Sequence, residues 1–181
     1  MTLIEIILLA IALGIDCLVV SFCQGLLFTK NRTKNSLALA LTMGIFQGSM
    51  PLISYVATGF VSTYLENYTK WIVFGIFMFL GIKFLIEAFQ RKDDCKVCSI
   101  DLKCLILMGI ATSIDALGAG VGLKLTSTPL VESVFIIGFM SFIMSLSGFW
   151  TGNKFKNLPT KYLEISGGLI LIGLAIKALV F

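Results

Sequence analysis

The sequence predicts an all-α integral membrane protein: six transmembrane helices arranged as two inverted three-helix repeats. Three observations carry that prediction. Hydrophobic residues make up 57% of the 181-residue chain and charged residues only 13%, about half the charged share of an average soluble domain. Six apolar runs, roughly 3–26, 36–60, 70–90, 103–123, 130–151 and 162–181, have about the length needed to cross the hydrocarbon layer. The third observation is an internal echo, in which Ile15-Asp16-Cys17-Leu18 returns as Ile114-Asp115-Ala116-Leu117.

The six runs use most of the chain, so residues 1–181 read as a single membrane domain with no separate soluble part. The first run does not fit a signal peptide. No basic residue precedes it, it contains Glu5, and its apolar part is too long. Repeat one spans 1–92 and repeat two 100–181. Besides the Ile-Asp-x-Leu pair, "GIFQGSMPLISYVATG" (44–59) aligns with "GFMSFIMSLSGFWTG" (138–152), and "WIVFGIFMFLGI" (71–82) with "LEISGGLILIGL" (163–174). Three alignments in the same order support a duplication. An odd number of spans per unit forces the second unit into the membrane with opposite sense, a design common in transporters with a mid-membrane site.

Charge placement gives the expected orientation. Loops after the first, third and fifth runs hold ten basic residues: Lys30, Arg32, Lys34, Arg91, Lys92, Lys96, Lys103, Lys154, Lys156 and Lys161. The other side has three, Lys70, Lys124 and Lys177. Positive charge marks the cytoplasmic side, so a multi-pass bacterial cell (inner) membrane protein with both termini outside is expected. The net charge of +4 does not point to nucleic acid, because the basic residues sit in particular loops. The lipid bilayer is the expected surrounding, and a homo-oligomer is compatible with the chain.

Asp16 and Asp115 fall near the centres of helices one and four. An ionised Asp there costs ~2.5–3.5 kcal/mol on insertion scales, and two neighbouring carboxylates repel. A divalent cation between them cancels both charges. The chain has no histidine, so ligands must be oxygen or sulfur. Oxygen donors suit manganese, magnesium or calcium, while thiolates favour softer metals. Helical phase puts Thr112 on the Asp115 stripe, and Gln47, central in helix two, offers a carbonyl oxygen. Cys17 and Cys23 are accessory thiols or small packing residues. Gly118/Gly122 and Gly148/Gly152 have the spacing of close helix packing.

Lys83 and Glu87, four apart on helix three, read as a coupling or gating pair, or as a plain salt bridge. If the plain reading holds, Glu87→Gln leaves transport intact. Cys95 and Cys98 form a CxxC beside three acids, with Cys104 a third thiol nearby. They read as a solvated loop or a regulatory metal-capture site whose thiols stay reduced in a cytoplasm. Lys124 reads as a snorkelling residue. No GxxxxGK[ST] sequence is present, which argues against nucleotide coupling. The absence of His, HExxH or a nucleophile–base pairing argues against an intramembrane enzyme.

Nearly end to end, the chain resembles the MntP-type manganese efflux pumps, relatives of the lysine-exporter superfamily. The likeness rests on Asp16 with Ser21 and Gly25, on "FQGSMPLISY" (46–55) and "GIKFLIEAF" (81–89), and on "IATSIDALGAGVGL" (110–123) and "EISGGLILIGLAIKAL" (164–179). It implies a six-helix inner-membrane exporter that lowers cytoplasmic manganese, with Mn²⁺ as cargo and no permanently bound cofactor. It also implies functional importance for Asp16 and Asp115, a polar role at Gln47, where some relatives carry Glu, and a basic-then-acidic pattern at Lys83 and Glu87. Cys17, Cys23, Gly118, Lys124 and the CxxC loop depart from the family pattern, and the extra sulfur near Asp16 bears on metal selectivity. The alternatives are an exporter of cadmium or zinc, an exporter of an organic cation or amino acid, and a sporulation-associated membrane protein without transport activity.

Overall fold

Long apolar segments in a bilayer have one open route to satisfying their backbone groups, the helix, and helices are what this chain forms. The structure, a computed structural model, describes residues 1–27, 31–60, 69–90, 102–154 and 160–180. Among the described residues there are six helices and no strand. They are α1 (Leu3–Leu27), α2 (Arg32–Gly59), α3 (Thr69–Gln90), α4 (Leu102–Leu125), α5 (Leu130–Lys154) and α6 (Thr160–Val180). The first five are long and apolar enough to cross a membrane, whereas the apolar stretch of α6 is the shorter Ile165–Leu179. The chain is a multi-pass membrane protein. Large apolar side chains cover its outside, among them Ile45, Phe79, Phe135, Phe139 and Leu169.

α2 begins at Arg32, one turn before the residue-36 start that hydropathy alone suggests. Asn31 turns the chain into it through a left-handed conformation, φ 49°. The Arg32 guanidinium then lies 5.2 Å from the centre of the Trp150 ring on α5, a cation–π contact that lets a basic residue belong to the helix.

Close approaches fix the helix directions. α1 and α5 pack most extensively, with Gly14 against Met144, Leu18 O against Gly148 and Phe22 O against Gly152. Residue numbers rise together along that seam, so the two helices run parallel. α2 and α4 are parallel too, with Phe46 against Gly109 and Pro51 against Gly120. α2 and α5 cross antiparallel, where a Cβ on either Gly44 or Gly138 would lie 3.0 Å from the other's carbonyl oxygen. α3 and α6 are antiparallel through Gly81 and Gly168, and α3 passes α4 antiparallel where Leu80 and Ile76 meet Gly118 and Phe77 meets Gly122. The spaced glycines Gly148/Gly152 thus serve the α1–α5 seam, and Gly118/Gly122 the α3–α4 seam. Both termini lie at one end, since Glu5 near the start pairs with Lys177 near the finish, and the Met1 amino group donates to Thr128 Oγ1 (3.2 Å).

One core holds α1, α3, α4 and α6 together through Leu9, Leu13, Phe77, Phe84, Ala116, Ala119 and Leu171. A smaller cluster, Cys17, Leu39, Met43, Leu105 and Phe149, joins α1, α2, α4 and α5. α1 and α4 touch each other only slightly. The buried amide of Gln47 bridges that narrow contact, donating to Leu13 O on α1 and Thr112 O on α4.

Candidate metal-binding site

Asp16 on α1 is 7% exposed and Asp115 on α4 is 2% exposed. The two lie within electrostatic reach of each other, as does the half-buried Lys83 of α3. The α3–α4 register explains the position of Lys83. Leu80 touches Gly118, and one turn further along each antiparallel helix come Lys83 and Asp115. Asp115 Oδ1 accepts from the Ala116 backbone N–H (2.9 Å), while its Oδ2, buried, has no hydrogen-bond partner.

Gln47 spans the gap between α1 and α4. It is fully buried, and its Nε2 donates to Leu13 O (3.3 Å), to Thr112 O (3.1 Å) and to Cys17 Sγ (3.5 Å). These bonds hold the amide with its nitrogen toward the backbones of α1 and α4. Oε1 is left buried with no donor. An acceptor oxygen in that condition is costly in an apolar interior unless something positive meets it.

Thr112 reaches this region through its carbonyl rather than its hydroxyl. Its Oγ1 turns back on its own helix, donating to Met108 O (2.9 Å) and Gly109 O (3.2 Å), with Met43 Sδ 3.2 Å away. Cys17 is a buried free thiol. Cys23 is disulfide-bonded, as is Cys104, so Cys23 is not the accessory thiol that the sequence suggested. It lies toward the far end of α1, beside Gln24, whose Nε2 donates to Met108 Sδ (3.5 Å), the same sulfur that Cys104 Sγ approaches at 3.5 Å. Cys95, Cys98 and the side chain of Glu87 lie outside the described residues. Lys124 does not simply reach for water. Its Nζ sits 4.8 Å from the centre of the Tyr55 ring.

Among the described residues, no group of three or more Cys, Asp and Glu is placed to hold a metal ion. Charged donors at the centre therefore come from the aspartate pair, and further donors there must be neutral. Sequence reasoning passed over one neutral residue, Ser141 on α5, which is 0% exposed and whose hydroxyl meets the Cys17 thiol rather than a carbonyl of its own helix. The repeat alignment carried the signal, since Ser141 stands fourth in "GFMS" as Gln47 does in "GIFQ".

A family model described as "Putative manganese efflux pump" matches residues 30–179. The chain belongs to this family. Its members are described as pumps, not enzymes. Several curated relatives carry the name "Putative manganese efflux pump MntP". The one from Methanosarcina mazei is 38% identical over 172 residues, covering 95% of this chain and 92% of the relative. The one from Ruminiclostridium cellulolyticum is 37% identical over 182 residues, 99% of this chain and 96% of its own. The one from Bacteroides thetaiotaomicron is 37% identical over 188 residues, 99% and 97% respectively. No solved structure matches the chain.

Proposed function

We propose that this protein exports Mn²⁺ from the cytoplasm across the cell membrane by alternating access, binding the ion between Asp16 and Asp115 with Gln47 Oε1 as a neutral donor. The observation that carries this reading is the convergence of two buried carboxylates and an undonated amide oxygen at the contact between α1 and α4. A divalent cation neutralises both carboxylates at once, and manganese accepts oxygen donors. A site with two charged donors holds its cargo less tightly than a fully anionic cage would, which favours release.

The inverted repeat is part of the proposal, and the helix pairings support it. Exchanging α1 with α4, α2 with α5 and α3 with α6 turns the parallel α1–α5 seam into the parallel α4–α2 seam. It turns the α1–α6 contact into the α4–α3 contact, and it maps the antiparallel α2–α5 and α3–α6 crossings onto themselves. Gly44 and Gly138, aligned in the two repeats, meet at one of those crossings. Rocking one repeat against the other would open the α1–α4 contact alternately to each side. The basic loops after α1, α3 and α5 face the cytoplasm in this reading.

Lys83 supplies the coupling element. With no metal bound, its ammonium offsets one carboxylate charge, and an arriving Mn²⁺ takes over that role. Two protons neutralise the aspartate pair as one Mn²⁺ does, so exchange of Mn²⁺ for H⁺ is the accompanying hypothesis. An imposed pH gradient must then change Mn²⁺ flux in sealed proteoliposomes, and a flux indifferent to the gradient rules out proton exchange.

The test of the main reading is Mn²⁺ flux into proteoliposomes loaded with a Mn²⁺-quenched dye, for wild type, Asp16→Asn and Asp115→Asn. Quenching by wild type alone supports the site, and equal quenching by all three refutes it. A second reading has one specific observation in its favour. The buried Cys17 thiol beside Gln47 is a softer donor, so Cd²⁺ is the competing cargo to run in the same assay.

A further inference from the structure

Among the described residues, buried hydroxyls follow a rule, and one residue breaks it. Ser36, Ser54, Thr58, Thr112, Ser113 and Ser133 donate to carbonyls of their own helices or the residues just before them. Thr128 pairs with Thr126 (2.7 Å), and Ser21 with Ser145 across the α1–α5 seam (2.6 Å). Ser141 is as buried as any of these, at 0% exposure, yet its Oγ makes no bond to a carbonyl of its own helix and meets the Cys17 thiol instead. The usual back-bond to the preceding turn was open to it, so its hydroxyl points elsewhere.

The helix register says where. α1 and α5 run parallel and are tied at Ser21 and Ser145. One turn back along each helix come Cys17 and Ser141, and Ser141 does face the Cys17 thiol. That thiol also receives Gln47 Nε2 at 3.5 Å. Ser141 and Gln47 therefore both meet the thiol of Cys17, the chain neighbour of Asp16. The α2–α5 crossing adds a second relation. Gln47 and Ser141 each follow the crossing glycine of their helix, Gly44 or Gly138, by three residues.

We infer that Ser141 is a metal-binding residue of the central site, the second repeat's counterpart of Gln47, supplying a hydroxyl oxygen to the same divalent cation. The inference rests on the two-aspartate reading above and extends its donor set to one charged and one neutral oxygen residue from each repeat: Asp16 and Gln47 from the first, Asp115 and Ser141 from the second. A hydroxyl is a hard oxygen donor, so its contribution favours Mn²⁺ over thiophilic ions at a site that also borders a thiol.

The experiment uses the full-length protein purified in detergent, with Mn²⁺ binding followed by depletion of the free-ion EPR signal and flux followed in proteoliposomes. Ser141→Ala is expected to weaken Mn²⁺ binding about tenfold, the lower end of the cost of losing a metal-site partner, and to raise the KM for Mn²⁺ in step. Its thermal unfolding should stay close to that of wild type, because the bond it loses, to the Cys17 thiol, is a weak one. Ser141→Thr, which keeps the hydroxyl, should bind within about twofold of wild type. Unchanged affinity in Ser141→Ala overturns the inference, and so does equal impairment of the Ala and Thr variants, which would mark a packing role. Asp16→Asn/Asp115→Asn separates the two levels. If that variant is inactive while Ser141→Ala behaves as wild type, only the role of Ser141 fails. If that variant transports as wild type does, the two-aspartate reading fails and takes this inference with it.

Discussion

Replacing Gln47 with methionine should cost both stability and cargo affinity, by amounts the structure lets us apportion. Methionine keeps the length and the burial of the side chain but removes the amide. Two carbonyl bonds disappear, to Leu13 O at 3.3 Å and Thr112 O at 3.1 Å. Interhelical hydrogen bonds inside membrane proteins average ~0.6 kcal/mol, with a maximum near ~1.7. Two average bonds give ~1 kcal/mol. The lower end applies because both carbonyls lie within helices, where each keeps a backbone N–H partner. Losing Oε1 as a donor should also weaken Mn²⁺ binding about tenfold, equivalent to ~1.4 kcal/mol. The first effect is read by chemical or thermal unfolding in detergent without metal, the second by the Mn²⁺ dependence of flux in proteoliposomes. A variant that unfolds ~1 kcal/mol earlier but keeps its wild-type KM would make Gln47 interhelical glue and remove it from the site. A variant unchanged in both would refute the bridging geometry.

Further predictions test other parts of the account. Gly148→Ala sets a Cβ against the Leu18 backbone carbonyl, which cannot rotate away. The α1–α5 seam must separate, with the loss of about 1–3 kcal/mol typical of overpacking. Gly75→Ala has open space around it, so it should be neutral or stabilising by ~0.5–1 kcal/mol; paired unfolding curves check both. Lys83→Met removes the cation that competes for the carboxylates, so KM for Mn²⁺ and maximal flux should both fall; flux kinetics that match wild type would end the coupling role. Glu5→Gln breaks the pair with Lys177, whose side chain is 49% exposed. It should change stability by less than ~1 kcal/mol and leave flux unaltered.

The helical, membrane-spanning character of this chain was plain in its sequence because apolar runs of this length have few other fates. Asp16, Asp115 and Gln47 stood out for a related reason: a charge or an amide inside such a run is costly, so it draws attention. Lys83 was visible as an ionisable residue in a span, but its proximity to Asp115 depends on the antiparallel α3–α4 register, which only the packing of Leu80 on Gly118 reveals. Helical phase put Thr112 on the Asp115 stripe. It could not say that the hydroxyl would bond its own helix and leave the carbonyl to meet Gln47. Ser141 was overlooked because serine is ordinary in a membrane helix, and its unusual feature, a missing back-bond, belongs to three-dimensional structure. The cysteines were least legible. Spacing carries no information on which sulfur meets which, and Cys23 proved to be disulfide-bonded.

The most direct test of the central claim is total manganese in bacterial cells lacking their own manganese exporter and challenged with MnCl₂. Cells carrying empty vector, the wild-type protein, or Asp16→Asn/Asp115→Asn at matched membrane expression would be compared. Manganese lowered by the wild type alone is the predicted result. Equal manganese in all three strains would contradict manganese export, and equal lowering by wild type and double variant would contradict the two-carboxylate site.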